Sequence, residues 1–437
     1  MDLYRLLGLN GWELLMRLSI YGTISKFFKG IDRRFRIMLA AIGLYSWTSN
    51  LPMQYNQLYV TALGANTVEL GSLNGIGGTI NSIISLPVGW FIDKYGVKKV
   101  IIIGLVISAA IATIYSLAFN WWMIIPAMVL APISMNFIMP LTDMIFVETT
   151  KPQERALAMG FSRTVWAIPT AFAPMTAAVI VAVFGGINVQ GIRPIYFVQL
   201  VSTGLIILFI MLLLGPSHAR LAADRSNLTS RRSLTKDLKE LFKGEKWLKH
   251  WAILMSLQQI GWSIASPFIP LWMVNVKGAD PYILGIIGTA GQLTSALLQI
   301  PMGRLADKIG RKKTFLLLTP FSYLGTILLI LAPSPDLLIG VGILGVSGAM
   351  MMGGIGGVSF IPYITMYWET VPAEKMGRWF GFTGIFAVMA LPASILGGLM
   401  WQSGLTELVL LMPVLLEALI TIPILTRIPD TLVKNKQ

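Results

Sequence analysis

Along the chain, apolar runs of about 20 residues, the length that spans ~30 Å of hydrocarbon, alternate with short polar turns. Twelve such runs can be placed, at 37–59, 68–92, 99–118, 122–146, 157–184, 194–214, 251–274, 282–306, 313–332, 337–367, 379–402 and 406–426. Each predicts a membrane-spanning helix, and an even number of them puts both termini on one side. The segments between spans then fall on two faces. One face receives Arg33, Arg34 and Arg36, the turns at 93–99, 148–156, 307–313 and 369–378, the 215–250 segment and the tail. The other receives only Arg193 and Lys277. Because lysine and arginine accumulate on cytoplasmic loops, the basic face is expected in the cytoplasm, with the chain in the cell membrane.

Two segments do not fit the alternation. Residues 1–35 carry an apolar run interrupted by Glu13 and Arg17, with no small-residue cleavage site after it, and read as a retained amphipathic arm lying on the membrane surface. Residues 216–250 hold nine Lys/Arg and four Asp/Glu, with helical apolar spacing over 234–244. They divide the chain into a six-span bundle at 36–215, a cytoplasmic linker at 216–250, a second bundle at 251–427 and a cytoplasmic tail at 428–437.

Composition narrows the chemistry. Charged residues make up 12% and hydrophobic ones 55% of the 437 residues, with a mean hydropathy of +0.71, too few polar groups to coat soluble cores. With no cysteine, disulfides and thiolate chemistry are excluded, and the only histidines, His218 and His250, leave no intramembrane histidine relay and no metal cluster. The net charge of +14 is spread over many short turns and not gathered into one stripe, which argues against nucleic acid. There is no GxxxxGK[ST] phosphate loop, and no midplane nucleophile with a base, so neither a nucleotide-driven pump nor an intramembrane enzyme is expected, and no cofactor.

The two bundles repeat each other. Residues 64–99 laid on 278–313, an offset of 214, give 12 identities in 36 positions, including Gly64 with Gly278, Gly71 with Gly285, Gly77 with Gly291 and Pro87 with Pro301. A second match pairs Glu148 and Thr149 with Glu369 and Thr370, and Gly160 and Phe161 with Gly381 and Phe382, at an offset of 221. Parallel six-helix repeats predict a two-lobed transporter with its site between the lobes.

The segments GWFIDKYGVKK (89–99) and GRLADKIGRKK (303–313) resemble the G-x-x-x-D-[RK]-x-G-x-[RK]-[RK] signature found between helices 2 and 3, and 8 and 9, of the major facilitator superfamily. The resemblance extends over about 36–427 and implies that family's twelve-helix, all-α fold and alternating-access transport. It implies gating or latch roles for Gly89, Asp93, Lys94, Gly96 and Lys98, and for Gly303, Asp307, Lys308, Gly310 and Lys312. Asp93 would meet the start of helix 11 near Arg378. Glu148, Arg155 and Glu369 would belong to the shared cytoplasmic charge network. The alternative is that these charges only set topology.

Family geometry, in which spans 1, 4, 7 and 10 face the central path, implies a cavity lined by Trp47, Asn50, Gln54, Tyr55, Asn136, Gln258, Gln259, Trp262, Tyr363 and Tyr367. Amides and aromatics without a midplane lysine or arginine suit a neutral or weakly cationic amphipathic small molecule; equally, each amide can serve only to bridge helices. The 23 methionines either form an adaptable surface or simply pack. Eight glycines between Gly340 and Gly357 provide close packing, bending, or both.

Asp143 and Arg163 are intramembrane charges of the N-terminal half alone. Each lies ten residues from a hairpin turn near 153, so antiparallel helices bring them to the same depth. They are candidates for proton coupling, or for a permanent salt bridge. Span 4 lacks the arginine of proton-coupled drug exporters and span 5 has Ala173 and Pro174 without their flanking glycines, while no sugar-porter signature follows span 6 or 12. The leading expectation is a monomeric, proton-coupled exporter of amphipathic molecules. Proton-coupled uptake of a sugar or other small metabolite is the alternative, and a transport-inactive membrane sensor is the alternative of another class.

Overall fold

A computed structural model describes residues 33–84, 95–148, 155–213, 246–349, 353–371 and 388–431; within the helices, the side chains of 82–83, 139–148, 155–161 and 246 lie outside that description. Helix falls in each of the twelve predicted spans, and eight of the described helices are long and apolar enough to cross a membrane. The amphipathic arm up to residue 32, most of the 216–250 linker and residues 432–437 of the tail lie outside the described residues.

The repeat seen in sequence is exact in backbone at its centre. Span 3 is Val97–Leu117 and span 9 is Arg311–Leu331, each 21 residues and 214 apart. Both follow a glycine in the left-handed region, Gly96 at φ 77° and Gly310 at φ 109°, a conformation that a Cβ disfavours. At Gly310 a Cβ would also strike the Asp430 carboxylate. Both helices end at an alanine, Ala118 or Ala332, followed by a 3₁₀ turn, Trp121–Ile124 or Pro335–Leu337.

The two charge-poor-face cations serve these ends. Arg193 donates through Nη2 to the Ala118 carbonyl at 2.6 Å, and Lys277 donates through Nζ to Ala332 O at 2.9 Å and Ile330 O at 2.6 Å. Each satisfies carbonyls that a helix C-terminus leaves unpaired. One arrives from the start of span 6 and the other from the 7–8 turn, so tertiary structure makes equivalent what sequence alignment does not.

The halves diverge in their fourth spans. Span 4 is continuous over Ile125–Glu148, whereas span 10 is split into Leu338–Leu344, Gly354–Val358 and Phe360–Thr370. The sequence offset rises by seven between span 9 and the end of span 10, and the extra residues are taken up in this break. Gly345, Gly348, Gly353 and Gly354 all have positive φ there, while a Cβ on Gly342 would meet Ile287 O and one on Gly356 the Ser322 side chain at 2.5 Å. The glycine cluster both unwinds and packs.

The described residues form three buried cores. One combines residues of both halves, such as Tyr55, Leu70 and Val181 with Phe268, Leu284 and Ala393, and lies toward the charge-poor face. The other two lie toward the basic face. Phe35, Met38, Val100, Phe137 and Ile210 belong to the N-terminal half alone, and Leu248, Trp251, Phe315, Tyr363 and Leu425 to the C-terminal half alone.

Candidate functional site

The lobes meet through pseudo-equivalent helix pairs, span 2 (Thr67–Ile84) on span 11 (Ala390–Gln402) and span 8 (Pro281–Ile309) on span 5 (Arg155–Val183). Small residues make the approach possible. A Cβ on Gly71 would overlap the Ser394 carbonyl, and one on Gly75 would come within 2.5 Å of Leu391 Cα. Gly285 lies against Ala178, and Gly288 against Pro174 and Gln54. Thr67 Oγ1 donates to Gly398 O at 3.1 Å across the same seam. All these contacts lie in the charge-poor half of the membrane. Near the basic end of span 8, a Cβ added at Gly303 would meet nothing within 4 Å.

Several predicted cavity residues belong to this seam. Span 1 is interrupted at 51–55 between Arg33–Asn50 and Asn56–Ala62, and the interruption sends Gln54 and Tyr55 across to span 8. Tyr55 donates to Pro281 O at 3.2 Å, and the Gln54 amide, oriented to satisfy its neighbours, donates to Leu284 O at 2.5 Å and accepts from Gly288 N at 3.2 Å. Trp47 and Asn50 stay within their lobe, donating to Thr176 Oγ1 at 3.4 Å and Thr170 Oγ1 at 3.5 Å of span 5. Asn136 of span 4 donates to Asn81 Oδ1 of span 2 at 2.8 Å, an amide pair left exposed. Gln259 donates to Ser263 Oγ one turn along its own helix at 3.1 Å.

The remaining candidates lie in the C-terminal lobe. Spans 7, 9, 10 and 12 line a half-open cavity of ≈ 80 Å³ whose walls include Gln258, Trp262, Ser347, Tyr363 and Glu417. Tyr363 is 1% exposed, edge-on to Trp251 at 5.3 Å, and its hydroxyl has no hydrogen-bond partner. Tyr367 packs edge-on to Trp251 at 5.3 Å within the same core and is not among the cavity's walls.

Sequence reasoning missed Glu417. It sits at the twelfth position of the 22-residue span Thr406–Arg427, near mid-depth, and opens a π-helical turn, Glu417–Thr421. Such turns concentrate at functional sites. Ser347, in the break of span 10, donates to Glu417 Oε2 at 3.3 Å. The signal in the sequence is a carboxylate at the middle of an apolar span.

At the basic face the second signature copy is fully described. Arg311 joins Asp307 at 2.9 Å and Glu369 at 3.1 Å, and also donates to Ala306 O at 3.1 Å. Thr431 donates to Glu369, and Asp430 accepts from the backbone N–H groups of Arg311 and Lys312, both at 3.2 Å, capping span 9. Residues 428–431, the start of the tail, are thus packed on the lobe, with Ile428 fully buried. Lys312 Nζ reaches Thr426 O at 3.1 Å, and its repeat partner Lys98 reaches Met211 O at 3.4 Å, the same helix-end role in each half. Lys308, on the last turn of span 8, is exposed. Gly89, Asp93, Lys94 and Arg378 lie outside the described residues, as do the side chains of Asp143, Glu148 and Arg155. Arg163 is described and exposed.

Comparison with known proteins agrees with this architecture. A family profile described as Major Facilitator Superfamily matches residues 37–397 and 251–436. Multidrug resistance protein 2 of Bacillus subtilis is 26% identical over 237 residues, 54% of this chain and 57% of that protein's length. Among solved structures, nucleoside transporter NupG superimposes with a TM-score of 0.68 at 14% identity, covering 91% of this chain and all of the other (100%). A bacterial homolog of the human lysosomal transporter Spinster, in an inward-facing and unoccupied conformation, gives 0.60 at 13% identity over 86% of this chain and 85% of that one.

Proposed function

The chain belongs to the major facilitator superfamily, and we propose that it is a proton-coupled secondary active transporter that exports neutral or weakly cationic amphipathic molecules. The observation that carries alternating access is the arrangement of cores, one shared by both lobes toward the charge-poor face and one private to each lobe toward the basic face. Two lobes that share, among the described residues, a core only toward the charge-poor face, joined there by glycine-thin seams, can rock about the centre of the membrane.

Export of amphipathic molecules is supported by the uncharged side chains of Trp47, Asn50 and Asn136 on spans 1 and 4, which neither the seam nor the C-terminal cavity takes up, and by the likeness to a multidrug resistance protein. The second reading is proton-coupled uptake of a sugar or other small metabolite, compatible with the fold shared with a nucleoside transporter. In the N-terminal half the coupling carboxylate is Asp143, with Arg163 as its partner, and Asp93 latches the lobes in one access state by meeting the start of helix 11.

The test is thermal unfolding of the purified chain against a panel of amphipathic drugs, nucleosides and sugars, followed by proteoliposome transport of each hit under an imposed pH gradient. A ligand that binds the folded state raises its stability by mass action. Stabilisation by drugs with pH-driven efflux is expected; stabilisation by nucleosides or sugars alone, with pH-driven uptake, replaces the first reading with the second.

A further inference from the structure

The small cavity of the C-terminal lobe takes its walls from spans 7, 9, 10 and 12 and none from the described residues of the N-terminal half. Among the described residues its one carboxyl group is Glu417, with no lysine, arginine or histidine in the walls beside it. The elements packed around it bring Ser347 and Tyr363 from span 10, Tyr323 from span 9, and Gln258 and Trp262 from span 7. The hydroxyls of Tyr363 and Tyr323 are buried without a hydrogen-bond partner. An ionised carboxylate at mid-depth with only neutral neighbours is costly, so the site calls for one compensating positive charge.

Size selects the occupant. A cavity of ≈ 80 Å³ has room for waters, whereas pockets for drug-sized ligands run to roughly 300–1,000 Å³. We propose that Glu417 is a proton-binding site inside the C-terminal lobe, and that its charge state is transmitted to the unwound segment of span 10 through Ser347. Ionised, the carboxylate accepts from Ser347 and ties the break of span 10 to the π-turn of span 12. Protonated, it becomes a donor as well, and the buried Tyr363 hydroxyl is at hand as an acceptor. The four positive-φ glycines give span 10 the freedom to respond. This inference deepens the proton-coupled reading above, and adds to Asp143 a second site that the N-terminal half lacks.

The experiment uses the full chain in lipid vesicles, comparing infrared spectra in acid and alkaline buffer. A protonated-carboxyl C=O band is expected in wild type, removed in Glu417→Gln and kept at a shifted frequency in Glu417→Asp. A band unchanged in both overturns the proposal. Should Glu417→Gln fail to fold, Ser347→Ala leaves the carboxylate in place and shifts the band by removing its hydrogen bond; a band that Ser347→Ala leaves untouched overturns the proposal too. Because the chain has no cysteine, a single Ala349→Cys reports thiol accessibility in the break. Labelling should differ between the two buffers in an otherwise wild-type background and not in Ser347→Ala, and pH-independent labelling in the former overturns the link to span 10. Tetraphenylphosphonium abolishing the band would assign the cavity to an organic cation and overturn the proton assignment. None of these readouts requires transport, so absence of pH-driven transport with the band behaving as expected counts against the proposed function alone.

Discussion

Gly71 of span 2 lies so close to Ser394 of span 11 that a single added carbon would overlap the Ser394 carbonyl. With no hydrophobic drive between helices in lipid, such backbone approaches carry the association through dispersion and polar contacts. The same packing recurs at the equivalent position of the other half, where Gly285 meets Ala178 of span 5. The charge-poor seal therefore depends on the absence of side chains at a few positions.

Gly71→Val should wedge that seal. Overpacking costs about 1–3 kcal/mol, which shifts a two-state population by roughly fivefold to a hundredfold. The check is labelling of Ala178→Cys, buried in the seam, by an impermeant maleimide from the charge-poor side, with an increase expected over the Gly71 parent. Equal labelling would mean the seam yields without opening.

Asp143→Asn should abolish transport driven by a pH gradient and retain gradient-independent exchange of the same substrate. Driven transport at the wild-type rate would remove Asp143 from coupling. Loss of folded protein, rescued by also neutralising Arg163, would make the pair a structural salt bridge.

Gly345→Ala should destabilise the protein by about 1–2 kcal/mol, because Gly345 holds φ at 84° and a Cβ would also crowd Gly353 O at 2.7 Å. Gly204→Ala, in helix Val189–Leu213 with open space around the position, should be neutral or slightly stabilising. Thermal unfolding of the two variants in one detergent separates a required glycine from an incidental one.

Arg311 is only 12% exposed in its side chain, whereas its partner Asp307 is 70% exposed. Exposed pairs contribute about 0–1 kcal/mol, so Asp307→Asn should leave stability nearly unchanged. Glu369→Gln weakens the tie to Arg311 and the contact with Thr431 together, and should cost more. A double-mutant cycle on Arg311 and Glu369 by thermal unfolding is expected to give a coupling of about 0.5–3 kcal/mol.

Much of this was legible in the chain. Span lengths follow from the thickness of hydrocarbon, and the 214-residue offset carried over unchanged to the bounds of spans 3 and 9 because each helix end is set locally, by the glycine before it. Gly96 and Gly310 were visible as signature positions, and their positive φ supplies the reason.

What the sequence by itself determined is local: which stretches cross the membrane, that the halves repeat, where a helix must stop, and which face carries the positive charge. What only the tertiary structure decided is which distant residues meet. The roles of Gln54 and Tyr55 as seam residues depend on the interruption of span 1 and on where span 8 arrives beside it. The break in span 10 was foreshadowed by glycines that served packing and bending equally well, and only neighbours such as Ile287 and Ser322 separate the two uses. Glu417 and Ser347 are 70 residues apart and Arg311 and Asp430 nearly 120, so no periodicity links them. Helical pattern repeats over a few residues, whereas a polar contact inside a bundle is set by the rotation and depth of two helices that lipid lets slide until their side chains lock them.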